Sequence, residues 1–473
     1  MDVQTGIDGR VLQRLEEISG KENVMSAGPA IEDYNHDMAD YEGVPAVVVR
    51  PRSEQEVAEI VGLAREAGLP VLARGAGSSL TGAAVLQGSI VLDMRAMAKV
   101  VKVDLVNWYV QVQPGISLED LNTELKASGF FFPPDPASSY ICTVGGAIAE
   151  GSGGLRCVRY GTMKDWVMSL RVVLANGKVS RFGEPLAKNR AGYDLVHLFV
   201  GSEGTLGVIT EACLKIIPLP TVKTRRFLVT FGDWESTGEV IRKLRSSKIL
   251  PYLFEFLDRD NIQALNERLG MSLEEAEATL LVDVEEAEVE PATAIFRDCG
   301  ANKVTLARDE EEAESFYQAR AMAYLAVKSL ASGVQVEDVV VPIDMLGEYL
   351  RFVKEVATKH GIKIPVNGHA GDGNVHPTIL YDKADERSRA AAKLAFEELC
   401  RKAIAMGGSV TAEHGVGVQK IRFLREQLLA HEGEEVVVQE SAAGAVLVQI
   451  LPDREVGIDT SAIALDAGDQ SRQ

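Results

Sequence analysis

The chain has 473 residues, about three times the ~150-residue domain prior, so two or three packed units are expected. Apolar residues at 46% and charged residues at 25% are globular values, which excludes a disordered or fibrous chain. With 49 basic against 69 acidic residues the net charge is −20, which lacks the basic footprint of a nucleic-acid binder and speaks for solubility, not for any fold. The 43 glycines cluster without a fixed period, as in backbone-built binding loops. The five cysteines (Cys142, Cys157, Cys213, Cys299, Cys400) form no C-x-x-C, which argues against an iron–sulfur cluster, a zinc ribbon or a disulfide scaffold. The N-terminus has no apolar core and so does not read as a signal peptide. No stretch approaches the ~18 apolar residues of a membrane span, so a cytoplasmic protein is expected, with any membrane association made through a partner.

In chain order, residues 7–20 form an amphipathic helix on Val11, Leu12, Leu15 and Ile18. The strand in PAVVVRPRS (45–53) ends at Pro51. Ser53 then caps a helix, with Glu56 completing a capping box, Val57, Ile60, Val61 and Ala64 as the buried stripe, and Gly68 at its end. PVLARG (70–75) is a strand running into the loop GAGSSLTGAA (75–84). SIVLDM (89–94) and NWYVQVQPG (107–115) are further strands, and Ser117 caps a helix over 117–128. FFFPPDPASS (130–139) is too proline-rich for a helix or a central strand. LRVVLANGKVSRF (170–182) reads as a hairpin turning on Asn176-Gly177. A boundary is expected after VGSEGTLGVITEACLKIIPLP (200–220). Beyond it, helix-period stretches at 235–248, 258–269, 309–330, 344–360 and 384–406 alternate with short strands, an α+β texture. The charge-dense segments 272–290 and 308–314 read as solvated surface. Residues 432–473 read as a weakly periodic tail.

Three glycine-rich runs, at 75–82, 145–154 and 201–207, are hard to explain as turns alone. The first follows a strand and suits a phosphate cradle, because glycines let backbone N–H groups approach an anion. It is not a dinucleotide fingerprint: G-x-G-x-x-G needs glycine where Leu80 stands.

The motifs PRSEQEVAEIVGLAREAGLPVLARGAGSSLTGAAV, FFPPDP, TVGGAIAEGSGGLR, RYGTMKDWV, NRAGYDL and GSEGTLGVITEACLKIIPLP resemble the FAD-binding domain of the vanillyl-alcohol-oxidase/PCMH flavoproteins. The region that follows is similar to their 2-hydroxy-acid dehydrogenase branch, which includes the glycolate oxidase flavin subunit, D-lactate dehydrogenase and D-2-hydroxyglutarate dehydrogenase. The resemblance runs in order from residue 45 to 425. It implies an α+β fold: an N-terminal helical segment (1–44), a PCMH-type two-subdomain FAD-binding domain (45–220), an α+β substrate and metal domain (221–431) and a divergent tail (432–473). It further implies FAD, with Arg74, Gly75, Ala76, Gly77, Ser78, Ser79, Leu80 and Thr81 around its pyrophosphate. Pro134, Asp135, Thr143, Gly145, Gly146, Gly153 and Ile209 would line the rest of the cleft. The chain departs from the family at Ala147 and Gly151, where asparagines are usual, and 432–473 lacks the family's D-P…N-P-G-K ending.

In NGHAGDGNVHP, Asp372-Gly373 reads as a two-residue hairpin turn. That register sets His369 opposite His376, close enough for both imidazoles to reach one ion. The plain alternative is a polar hairpin facing solvent. The matched pair, followed by Glu413-His414 in SVTAEHGVG, favours a site. Residues 409–417 read as an extended run broken by Gly415 and Gly417, so Glu413 turns to the ion and His414 to the opposite side, toward substrate. The resemblance assigns the same roles: His369, His376 and Glu413 as ligands of zinc or manganese, and His414 as the base. Arg320, on a helix in FYQARAMAYLA, reads by itself as a solvated surface charge; the resemblance makes it the clamp for the substrate carboxylate, which a guanidinium fork suits. Asp338 is a candidate support behind the ligands.

The expected function is oxidation of a 2-hydroxy acid of the D-lactate or glycolate class to the 2-keto acid, with hydride passing to FAD N5 while the metal and His414 assist. The partners expected are that small acid and an electron acceptor in another chain. The rivals are a metal hydrolase on His369, His376 and Glu413, which leaves 45–220 unexplained, and a non-catalytic flavin subunit of a glycolate-oxidising complex, which has no need of the His/His/Glu-His set.

Overall fold

The computed structural model describes residues 7–39, 41–432, 435–440 and 446–451. The first helix is Gly9–Ser19, packed through Leu15 against the helix Glu54–Ala67 and a four-stranded sheet. That sheet runs Val24–Met25, Val47–Val49, Ile90–Asp93, Val71–Arg74, the last three strands parallel. Glu54–Ala67 supplies the crossover that parallel strands require. Its start is written locally: Ser53 Oγ accepts from the Glu56 N–H at 3.2 Å, and the Glu56 carboxylate reaches back to the Arg52 N–H at 3.0 Å. Val57, Ile60, Val61 and Ala64 are buried, as their spacing predicts.

A second sheet is antiparallel, in the order Val100–Asp104, Tyr109–Val112, Val208–Lys215, Val167–Val173, Val179–Gly183. The helices Leu118–Lys126, capped by Ser117, and Val144–Glu150 share its core. The hairpin expected near Asn176-Gly177 is present with a longer turn. Val173 pairs with Val179 and the Leu174 N–H donates to the Lys178 carbonyl, so three residues make the reversal, with Gly177 at φ 77°. In the proline-rich segment only Phe130–Phe131 is a strand, paired with Ile217–Pro218.

The third sheet runs Lys303–Leu306, Thr224–Phe231, Ala278–Glu285, Leu253–Asp258, Val366–His369, Asn374–Tyr381, Gly333–Val336, and Val339–Val340 also pairs with Asn374–Tyr381. Trp234–Ser246, Val289–Asp298, Leu346–His360 and Glu386–Ala405 cover one face around Phe254, Phe256 and Val282. Arg259–Leu269 and Glu310–Lys328 lie on the other with Leu257. The 272–290 segment corrects the surface expectation, because it contains the interior strand Ala278–Glu285. Leu280, Val282 and Val284 are buried there, and Asp283 is neutralised by both Arg226 nitrogens at 2.6 Å. The 308–314 segment opens a helix capped by Asp309 and is mostly exposed. In the expected tail, residue 432 ends the helix Ile421–Glu432, and Glu435–Glu440 and Val446–Leu451 pair as an antiparallel hairpin; the remainder of 433–473 lies outside the described residues.

Candidate active site

One cavity of about 780 Å³, within the size range of cofactor sites, opens between the first two sheets and the third. One end is the loop after strand Val71–Arg74. Among the described residues, the backbone N–H groups of Ala76, Gly77, Ser78, Ser79 and Leu80 donate to nothing in the protein, although all five residues line the cavity. Unpaired N–H groups at a cavity wall suit an anion, and a pyrophosphate fits that donor set. Gly75, Thr143, Gly145, Gly146 and Ile209 continue the wall, Thr143 also capping Val144–Glu150 through the Gly146 N–H.

Other expected cofactor residues have different work. Arg74 reaches the wall, but its guanidinium is tucked behind the loop, donating to the carbonyls of Asp33, His36 and Ala84. Thr81, Pro134, Asp135 and Gly153 do not line the cavity. Thr81 instead clasps the 413–419 segment: its hydroxyl donates to the His414 carbonyl, and its own carbonyl accepts from Val418 and Gln419. The Asp135 carboxylate holds the Arg156 N–H and side chain, and burial pushes its pKa up to about 6. Gly153 backs onto Glu413, where a Cβ would stand 2.5 Å from Oε2.

At the far end of the cavity the histidines converge. His369, His376 and His414 bring their Nε2 atoms to 3.4, 3.3 and 3.7 Å from the same oxygen, Glu413 Oε1. The hairpin that carries the first two has a different register from the one expected. His369 pairs with Asn374, and Asn367 with His376, so four residues form the turn. The His369 carbonyl accepts from Gly373, while the Gly371 N–H donates sideways to Phe254 on the next strand. The slip is two residues, an even number, so both histidines keep the same face and become diagonal neighbours with ring centroids 5.3 Å apart.

Glu413 and His414 do not point to opposite sides as expected. Segment 409–417 is a series of bends and not a strand, because Asp338 gathers it: one oxygen accepts from the Thr411 hydroxyl and the N–H groups of Ala412, Glu413 and His414 at 2.8–3.0 Å. The other oxygen accepts from Asn374. His414 is thereby stacked on His376 at 5.0 Å and 16°. Asp338, His376, Glu413 and His414 are all spaced for one ion. Asp338, with both oxygens already engaged, is the anchor of this group. Burial alone would raise the Glu413 carboxyl, but His369 and His376 hold it well below the carboxylate range. Burial lowers His414, with Asp338 opposing and His376 adding. Imidazole and carboxylate donors suit zinc or manganese.

Arg320 is not a solvated charge. It is 6% exposed, lines the cavity, and its Nε lies 2.8 Å from Glu255 Oε2.

Residues 45–183 match the FAD binding domain, and residues 222–433 match the C-terminal domain of FAD linked oxidases. The glycolate oxidase subunit GlcD of Bacillus subtilis is 36% identical over 442 residues, covering 92% of this chain and 94% of that protein. The chain belongs to the FAD-linked oxidases. A D-lactate dehydrogenase of Archaeoglobus fulgidus is 35% identical over 384 residues, covering 80% and 85% of the two chains. In fold, this FAD-linked oxidase is similar to p-cresol methylhydroxylase with substrate bound, at TM-score 0.73, 19% identity and coverage of 90% and 94%. That likeness supports the PCMH-type α+β architecture, with helices and sheets mixed in both halves.

Sequence reasoning missed three residues of this oxidase's site. Glu255 had a signal, as a lone acid in the otherwise apolar strand LFEFLD. Glu203, whose two oxygens accept from the N–H groups of Val416 and Gly417, sits in a recognised glycine-rich run, but its target lies far along the chain. Lys420, fully buried and donating to the carbonyls of Asp338 and Val410, had no signal. No helix among the described residues is long and apolar enough to cross a membrane.

Proposed function

We propose that the chain oxidises small 2-hydroxy acids of the D-lactate or glycolate class to 2-keto acids, using FAD and a divalent ion, zinc or manganese. The observation that carries this reading is the two-ended cavity. Unpaired N–H groups of 76–80 line one end, three imidazole nitrogens surround one carboxylate oxygen at the other, and a buried arginine stands at the wall. When bound, FAD accepts the hydride from C2 and the ion makes the substrate hydroxyl more acidic.

The protein's own groups do the rest. His369, His376 and Glu413 hold the ion. Arg320 receives the substrate carboxylate on the terminal nitrogens of its fork. His414 has the most open side chain of the four ion-facing groups, at 21% against 7, 10 and 14% for His369, His376 and Glu413. It is the group placed to take the hydroxyl proton. The similar proteins carry names of glycolate oxidation and D-lactate dehydrogenation, which supports the substrate class.

Anaerobic mixing of the purified protein with glycolate, D-lactate, L-lactate and D-2-hydroxyglutarate tests the reading through bleaching of the flavin spectrum. Bleaching by glycolate or D-lactate is expected. A flavin that none of these acids reduces would return the chain to a non-catalytic flavin subunit, and a colourless protein holding metal would return it to a hydrolase.

A further inference from the structure

Glu255 has no part in the mechanism just given, yet it touches both halves of the site. It lies on strand Leu253–Asp258 directly across from His369, between Leu253 and Leu257 on a buried face, and is 1% exposed. One carboxylate oxygen is 2.7 Å from His369 Nδ1, and the other is 2.8 Å from Arg320 Nε. We infer that Glu255 is a positioning residue that couples the metal-binding histidine to the carboxylate-binding arginine. This rests on the metal reading above.

Two consequences follow from the contacts. With Nδ1 engaged by the Glu255 carboxylate, Nε2 is the His369 nitrogen left for an ion, and it lies on the side of Glu413 Oε1, 3.4 Å away. Arg320 Nε is ion-paired with Glu255 Oε2 without the alignment of a hydrogen bond, which places the guanidinium beside the carboxylate and leaves its terminal nitrogens for a ligand anion. Charge gives a third reason. A divalent ion and a guanidinium at one buried end of a cavity repel each other, and Glu255 is the negative group lying between their two protein contacts. A single strand position thus orients one ligand, aims one clamp and offsets the repulsion between them.

The test uses flavin-loaded protein. Zinc affinity is measured by competition with a chromophoric chelator for wild type, Glu255→Gln and Glu255→Asp. Oxalate, a carboxylate that cannot be oxidised by hydride loss, is then titrated at saturating zinc through the flavin spectrum. Glu255→Gln should lower zinc affinity by roughly 10–100-fold and weaken oxalate as well, at an unchanged FAD-to-protein ratio. Glu255→Asp keeps the charge on a stem one methylene shorter, and should recover part of the zinc affinity. It also decides the matter should the glutamine variant fail to hold flavin. Zinc affinity at the wild-type level in flavin-loaded Glu255→Gln, or in Glu255→Asp should the glutamine variant lose flavin, with only thermal stability reduced, would make Glu255 a packing residue and overturn the inference. Wild-type protein that takes up neither zinc nor manganese would instead overturn the metal reading itself.

Discussion

His414 and His369 both point Nε2 at Glu413, but their other contacts differ. His369 is held by Glu255, while His414 is stacked on His376 and opens to the cavity. Replacing His369 by alanine is expected to lose bound metal. His414→Ala should keep FAD and metal, with flavin reduction slower by ~10²–10⁴-fold, the usual worth of a positioned base; loss of metal from His414→Ala, read by metal analysis, would make it a ligand. The base must be deprotonated, and burial holds His414 below its ordinary 6.5. Flavin reduction should therefore persist on the acid side of that value, and an acid limb above it in a rapid-mixing pH profile would contradict the assignment. Arg320→Lys keeps a charge near Glu255 but loses the planar fork, so kcat/KM should fall about 10–100-fold at normal flavin content, the size of a lost charged hydrogen bond. Gly153→Ala drives a methyl into Glu413 Oε2. Metal content should fall while flavin stays, which parallel metal and flavin analysis would show.

Between elements, the first two sheets are tied by one carboxylate. Glu54, in the first turn of its helix, accepts from Arg171 Nε at 2.9 Å and from the Thr210 hydroxyl at 2.7 Å, both on strands of the second sheet. Arg171 lowers the Glu54 carboxyl below its ordinary 4.5, with burial opposing and Thr210 assisting. A lowered carboxylate pKa stabilises the fold above 4.5, and that contribution is lost as pH falls through the folded value. Glu54→Gln should therefore cost about 1 kcal/mol near neutrality, discounted for the partial exposure of both side chains. The gap in denaturation midpoint between the two proteins should close below pH 4.5; a pH-independent gap would mean the pair contributes only shape. The histidine hairpin teaches a related point about register. A slip of two residues leaves every side chain on its face, so the site survives a wrong turn length, whereas a slip of one would have put the two imidazoles on opposite faces of the sheet.

At the scale of the whole molecule, the two halves meet at the 413–419 segment. Glu413 and His414, the proposed ligand and base, come from the C-terminal half, but the segment is held by Thr81 and Glu203 from the N-terminal half. Glu203 adopts φ 51°, a left-handed conformation unusual for a non-glycine residue, and both its oxygens engage backbone N–H groups. Glu203→Gln leaves one acceptor oxygen for two donors. The Val416 and Gly417 amides should then exchange with solvent ~10-fold or more faster, matching the loss of one charged hydrogen bond, and metal affinity should fall with flavin content preserved. Unchanged exchange at those two amides would mean that Glu203 does not hold the segment.

The sequence by itself determined what local physics controls. The caps at Ser53 and Ser117, the stripe Val57/Ile60/Val61/Ala64, the five long helices after 221 and the glycine-rich loop all follow from neighbouring residues. So does the presence of His369, His376, Glu413, His414 and Arg320 as the chemical inventory. The tertiary structure decided how those groups face one another. Glu413 and His414 converge because a carboxylate some 75 positions earlier, Asp338, collects three consecutive N–H groups. Arg320, on a helix, is buried beside Glu255 of the strand Leu253–Asp258, and Thr81 and Gly153 serve the 413–419 segment because two halves of the chain press together there. Periodicity and capping act over a few residues and can be read in order. A hydrogen bond between distant residues leaves no periodic trace in the sequence, and the electrostatics of this site are made almost entirely of such bonds.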